Sequence, residues 1–199
     1  MPFNIPNLLT WFRIVMIPVF LGVFYLSDQT ISLHHKHLFS ALIFAFAAIT
    51  DWLDGYLART LNQTSAFGAF LDPVADKLMV AAALILLVSL NQVDAIIAFI
   101  IIGREIAISA LREWMAQLGA GKNIAVSMLG KIKTTFQMVA ILLLLYQEPV
   151  YGLPTFQLGT YLIYLAALLT LWSMVYYLML AIPQIIQKSR FDSHEKKVN

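Results

Sequence analysis

Long apolar runs broken by short polar punctuation organise this chain. Crossing a hydrocarbon core takes about 20 consecutive, mostly apolar helical residues. Runs of that order occur at about 8–27, 38–60, 67–90, 93–117, 126–147 and 156–187. The pattern predicts an all-α polytopic membrane protein with six transmembrane helices and an amphipathic N-terminal segment. The whole of 1–199 reads as a single membrane domain, with the tail 188–199 cytoplasmic and mobile. No soluble domain, internal repeat or low-complexity tract is visible.

Composition supports the membrane reading. Of 199 residues 60% are hydrophobic and 12% charged, and the net charge is only +2; mean hydropathy is +0.79. The charges matter by placement, not by number. The absence of cysteine excludes disulfides, thiolate nucleophiles and cysteine-ligated metals. The start, MPFNIPNLLTWFRIVMIPVF, has no basic residue before Arg13 and no small-residue cleavage site, so it reads as a retained first helix and not as a signal peptide. The connections NQVD and QEPVYGLP carry no Lys or Arg, whereas Arg13, Arg59, Lys122, Lys131, Lys133 and the tail hold most of the basic charge. The positive-inside rule then puts both termini in the cytoplasm. The loop SDQTISLHHKH faces outward, and its histidines read as a solvated interfacial cluster in preference to a metal site.

Against this background four aspartates stand out in DWLDGYLARTLNQTSAFGAFLDPVADK, residues 51–77. Asp51 and Asp54 are three apart at the end of the second helix; Asp72 and Asp76 are four apart at the start of the third. Each pair shares a helix face. Small residues lie on the same faces: Gly55 follows Asp51 by four, Ala58 follows Asp54 by four, and Gly68 precedes Asp72 by four. Small residues allow close approach of helices or a ligand. Singly, each acid has a bland reading. Asp72 could cap a helix that begins at Pro73, Asp51 could pair with Arg59 or a basic residue on another helix, and Lys77 could snorkel. Together, four anions near one cavity repel one another and call for a cation. All-oxygen ligation suits magnesium, manganese or calcium and disfavours zinc; two such ions would serve phosphoryl transfer. Arg59 is placed to take a phosphate.

In order, the stretch reads Asp51, two residues, Asp54-Gly55, two residues, Ala58-Arg59, eight residues, Gly68, three residues, Asp72, three residues, Asp76. It resembles the signature of the CDP-alcohol phosphotransferase family at every fixed position. The resemblance implies a six-helix membrane enzyme that moves a phosphoalcohol or phosphatidyl group from a CDP-linked donor to an alcohol, releasing CMP. It implies that Asp51, Asp54 and Asp72 bind one Mg2+ or Mn2+ and that Asp51, Asp72 and Asp76 bind a second. Asp76 would also be the catalytic base that takes the acceptor hydroxyl proton. Gly55 and Arg59 would contact the CDP part of the donor, with Ser65 at a position where the family often has a donor-contacting hydroxyl. Asn7, Thr10 and Arg13, three apart along the first helix, are further donor contacts by the same resemblance, or else polar residues of an interfacial helix facing headgroups.

The remaining basic residues bear on the acceptor. GREIAISALREW carries Arg104 and Arg112 on the fourth helix, and GKIKT carries Lys131 and Lys133 at the start of the fifth. Arg104 could bind ligand or pair with Glu105; the two lysines point to opposite sides of a helix, so one enters the cavity, and both could instead set topology. A basic cluster beside the carboxylates points to a phosphorylated acceptor. From NIPNLLTWFR through DPVADK, GREIAISALREW, GKIKT and LTLWSM the chain resembles one branch of the family throughout its length. That likeness implies CDP-diacylglycerol as donor, sn-glycerol 3-phosphate as acceptor, a homodimer in the bacterial cytoplasmic (inner) membrane with its site facing the cytoplasm, and no nucleic-acid partner. Phosphatidylglycerol, inositol phosphate or serine are alternative acceptors, and carboxylates lining a cation pathway are the alternative outside enzyme chemistry.

Overall fold

The computed structural model describes the backbone of residues 5–60, 66–117 and 128–198, with side chains at most of these positions. It is all-helical there: α1 Ile5–Tyr25, α2 Leu33–Thr60, α3 Ala66–Ser89, α4 Ala95–Gln117, α5 Met128–Tyr146 and α6 Thr155–Val198. Six helices match the six apolar runs. Three are long and apolar enough to cross a membrane by length and composition, over Asn7–Tyr25, Leu33–Leu57 and Thr155–Met179. Charges within α3 and α4 set those two apart, and Lys133–Tyr146 of α5 is a further apolar helical stretch among the described residues.

Packing is inside-out in places. On α1, Leu8, Trp11, Val15 and Val19 are exposed while Asn7, Thr10, Arg13 and Phe20 are buried. An apolar surface of this kind is at home in lipid. Helix α1 packs on α2 and α3, and α6 covers α5 and α4. The core between them is aliphatic: Phe44, Ala83, Leu84, Leu87, Ile101, Ile141 and Leu144 lie at its centre. Helices α5 and α6 approach closely at Gly159, where an added Cβ would sit 2.9 Å from Leu144 Cγ and 3.2 Å from the Ala140 carbonyl oxygen. Leucine is a good helix former, so Gly159→Leu isolates the packing cost. It lowers stability by roughly 1–3 kcal/mol as overpacking, read as a fall in the thermal unfolding midpoint in detergent; an unchanged midpoint would show that the two helices part freely.

Three sequence expectations change. Helix α2 begins at Leu33, not 38: its first turn closes with the Lys36 N–H donating to the Ser32 carbonyl at 3.0 Å, and the Ser32 hydroxyl meets His35 Nδ1 at 2.7 Å. His34 and His35 are exposed, but His37 is buried and donates from Nδ1 to the Leu145 carbonyl at 3.0 Å, so the histidines are not one solvated cluster. His34 also pairs with Glu148, joining the start of α2 to the end of α5. Helix α6 continues to Val198 as backbone, past the predicted end at 187.

The turns at this end are built for tight exits. Lys36, buried, donates to the Leu26 carbonyl at 2.5 Å and to Asp28 at 2.6 Å, capping the end of α1 with a cation as the helix dipole favours. Asn91 takes a positive φ of 57° after α3, and Asp94 caps α4 through the Ile96 N–H at 2.7 Å.

Candidate active site

The four aspartates gather at the other end of the bundle. Asp51 and Asp54 stand on α2 and Asp72 and Asp76 on α3. Helix α3 starts at Ala66, so Asp72 lies inside it and is not the cap of a helix beginning at Pro73. The acids lie within electrostatic reach of one another: Asp54 feels Asp51 and Asp72, and Asp76 feels Asp51.

Helix α1 supplies the counter-charge. Arg13 is 1% exposed, and its guanidinium donates from Nη1 to Asp51 and from Nη2 to Asp54, both at 2.6 Å. Thr10, one turn earlier, donates its hydroxyl proton to Asp72 at 2.5 Å. Asn7 is buried on the same face. The alternative of an interfacial helix turning these residues to headgroups is thereby overturned. Asp51 pairs with a basic residue on another helix, and that residue is Arg13. An arginine so enclosed is tolerable only because two carboxylates meet it.

The donor set suits a hard divalent cation: four carboxylates, no described histidine beside them, and negative charge that one guanidinium leaves largely uncompensated. The side chains do not close into a cage, since among the described residues no three potential ligands converge on one point. Arg13 instead holds Asp51 and Asp54. Gly55 sits on α2 beside them, partly exposed. Arg59 lies in the last turn of α2, and its side chain is outside the described residues, as is Ser65 altogether.

A second polar cluster occupies the core where α4, α5 and α6 meet. Glu105 accepts from Lys133 Nζ at 2.6 Å and from Arg104 Nη1 at 3.1 Å. Arg104, 8% exposed, also donates from Nη2 to Ser173 at 3.1 Å, and its Nε is buried without a partner. Thus Arg104 does pair with Glu105. Lys133 is the lysine that turns inward; the side chain of Lys131 is outside the described residues. Arg112, two turns after Arg104, donates to the Tyr177 hydroxyl at 3.0 Å. Two cations, Arg104 and Lys133, thus share one carboxylate, and a third, Arg112, is held beside them by Tyr177. The two clusters adjoin, because Asp76 feels the charge of Glu105.

Sequence reasoning did not single out Ser173 or Tyr177. Helix α6 reads as a plain apolar span, and the available signal was the pairing of a serine and a tyrosine one turn apart within it.

Comparison with known proteins agrees with this chemistry. The sequence profile described as CDP-alcohol phosphatidyltransferase matches residues 3–172. A protein of Salmonella paratyphi A is 51% identical over 183 residues, which cover 91% of this chain and 96% of that one. One from Haemophilus influenzae is 51% identical over 183 residues, 91% and 95% of the two chains, and one from Shigella flexneri serotype 5b is 50% identical over 183 residues, 91% and 96%. All three are named CDP-diacylglycerol--glycerol-3-phosphate 3-phosphatidyltransferase. With its aspartate signature gathered at one end of a helical membrane bundle and the profile matched over most of its length, this chain belongs to the CDP-alcohol phosphatidyltransferase family.

Proposed function

We propose that this protein transfers the phosphatidyl group of CDP-diacylglycerol to sn-glycerol 3-phosphate, giving phosphatidylglycerophosphate and CMP. The observation that carries the proposal is the junction of two unlike clusters, one of four carboxylates and one in which Arg104 and Lys133 meet Glu105 with Arg112 held beside them by Tyr177. The first suits a metal-bound pyrophosphate, the second a phosphorylated acceptor. The names of the relatives supply the two substrates.

Asp51, Asp54 and Asp72 would hold one Mg2+ or Mn2+, and Asp51, Asp72 and Asp76 a second. When bound, such ions neutralise the donor pyrophosphate and stabilise the departing phosphate. Arg13 would then exchange its carboxylates for the donor's phosphates, and Asn7, Thr10, Gly55, Arg59 and Ser65 would line the nucleotide side. Asp76, which feels the charge of Glu105, takes the proton from the acceptor hydroxyl. The freed oxygen bonds to the phosphorus that carries diacylglycerol, and the bond from that phosphorus to the CMP oxygen breaks. Arg112, Arg104 and Lys133, with Lys131, orient the acceptor phosphate. All six helices span the cytoplasmic (inner) membrane in this reading, with both termini and the site on the cytoplasmic side. There the acyl chains stay in lipid while nucleotide and acceptor come from water. A homodimer belongs to the reading on family resemblance alone.

Arg112→Ala tests the acceptor half. Loss of a charge-assisted contact predicts a KM for sn-glycerol 3-phosphate raised roughly tenfold to a hundredfold, with the KM for CDP-diacylglycerol little changed. Equal loss for both substrates would remove Arg112 from the acceptor site.

A further inference from the structure

Arg112 differs from its neighbours in how it is held. Arg104 and Lys133 are buried and tied to the one carboxylate of Glu105. Arg112 is exposed and has no carboxylate partner among the described residues; its guanidinium meets Tyr177, which accepts a hydrogen bond at 3.0 Å and lays its ring 5.1 Å from the guanidinium carbon. Tyr177 itself is 2% exposed, fixed in the α4–α6 seam, with the Arg104 guanidinium 6.0 Å from the same ring. A carboxylate in that place would neutralise the cation. A tyrosine fixes its direction through one hydroxyl and one ring face while leaving its charge and its other N–H donors for a ligand.

We infer that Tyr177 is the positioning residue that presents Arg112 to the acceptor phosphate, so that α6, which carries none of the aspartates, helps set acceptor affinity. The inference rests on the acceptor reading of Arg112 and adds the residue through which it acts. The division of labour follows from the partners. Glu105 spends its charge on Lys133 and Arg104, which shape the floor of the cluster, and Arg112 is the cation kept available for a dianionic phosphate monoester. Ser173, one turn before Tyr177, does for Arg104 Nη2 what Tyr177 does for Arg112. Helix α6 thereby holds two arginines of α4 at a two-turn spacing.

Tyr177→Phe keeps the ring and removes the accepting oxygen. Loss of one such bond predicts a KM for sn-glycerol 3-phosphate raised about threefold to tenfold. The KM for CDP-diacylglycerol and kcat at saturating acceptor should stay within about twofold of the parent protein. In an Arg112→Ala background the same change should raise the acceptor KM no further, because the two residues act as one unit. A structural role alone predicts otherwise: a lowered unfolding midpoint, both KM values moved together, or a full additional loss in the Arg112→Ala background. Any of these overturns the inference. Should Arg112→Ala by itself leave the acceptor KM unchanged, the acceptor reading fails first and the role of Tyr177 with it. An acceptor KM raised by Arg112→Ala but untouched by Tyr177→Phe would overturn the positioning role alone.

Discussion

Asp76→Asn lowers kcat by roughly 10²–10⁴-fold, the range that a positioned general base supplies, while CDP-diacylglycerol still binds. Asparagine keeps the volume and one coordinating oxygen of the aspartate but cannot take a proton at neutral pH. Asp76 stands one turn beyond Asp72 on α3 and feels the charges of Asp51, Arg13, Glu105 and Lys77, which places it between the two clusters. The check is CMP release under saturating metal beside a direct measurement of donor binding. Turnover near the parent rate would remove Asp76 as the base, and loss of donor binding in proportion to turnover would recast it as a ligand only.

Exhaustive chelation should bring CMP release down to the level of a protein-free control, and added Mg2+ or Mn2+ should restore it. Of the four carboxylates Arg13 bridges two, Asp51 and Asp54, and a donor pyrophosphate would bring further negative charge to the same place. Arg13 alone cannot compensate both. Zinc should restore less, since the set offers oxygen and no imidazole or thiolate. Activity that survives chelation would contradict the reading of this cluster as a metal site. The guanidinium bridge also predicts how the protein behaves without metal. Arg13→Ala would leave Asp51 and Asp54 facing each other with no cation, a change that costs about 3–5 kcal/mol where a buried pair loses one member. In metal-free protein it should show as a lowered unfolding midpoint that divalent cations raise. A midpoint equal to that of the parent would mean that the bridge contributes nothing.

Much of this was legible in the sequence because apolar runs and charged residues obey separate rules in a membrane. The runs gave the six helices within a few residues, apart from α2 and the continued backbone of α6. The start of α2 is not legible in composition, because LHHKH is polar, yet Lys36 and His37 are buried by satisfying carbonyls at the ends of α1 and α5. Periodicity sees composition, not such pairing. The aspartate constellation is visible through its spacing, and so is the shared face of Asn7, Thr10 and Arg13, but spacing does not say whether that face turns to the site or to headgroups. What decided it was a long-range contact, Arg13 to Asp51 and Asp54, between helices that the sequence does not reveal to be neighbours. The same limit hid Tyr177. A buried tyrosine on an apolar span looks like packing until the α4–α6 seam sets Arg112 against its hydroxyl. Arg104 shows the converse: its neighbour in sequence, Glu105, is its neighbour in space, so the pair was readable as an alternative from the start.

Serine would bring no phosphate and phosphatidylglycerol a lipid-borne diester, and neither matches a cation kept free at the edge of a three-cation cluster. The most direct measurement is CMP release by detergent-purified protein given CDP-diacylglycerol and Mg2+, with sn-glycerol 3-phosphate, inositol phosphate, serine or phosphatidylglycerol supplied one at a time. The account predicts release that depends on sn-glycerol 3-phosphate, with phosphatidylglycerophosphate formed in equal amount. Release driven by another acceptor, or none with any of the four from folded and metal-loaded protein, would contradict it.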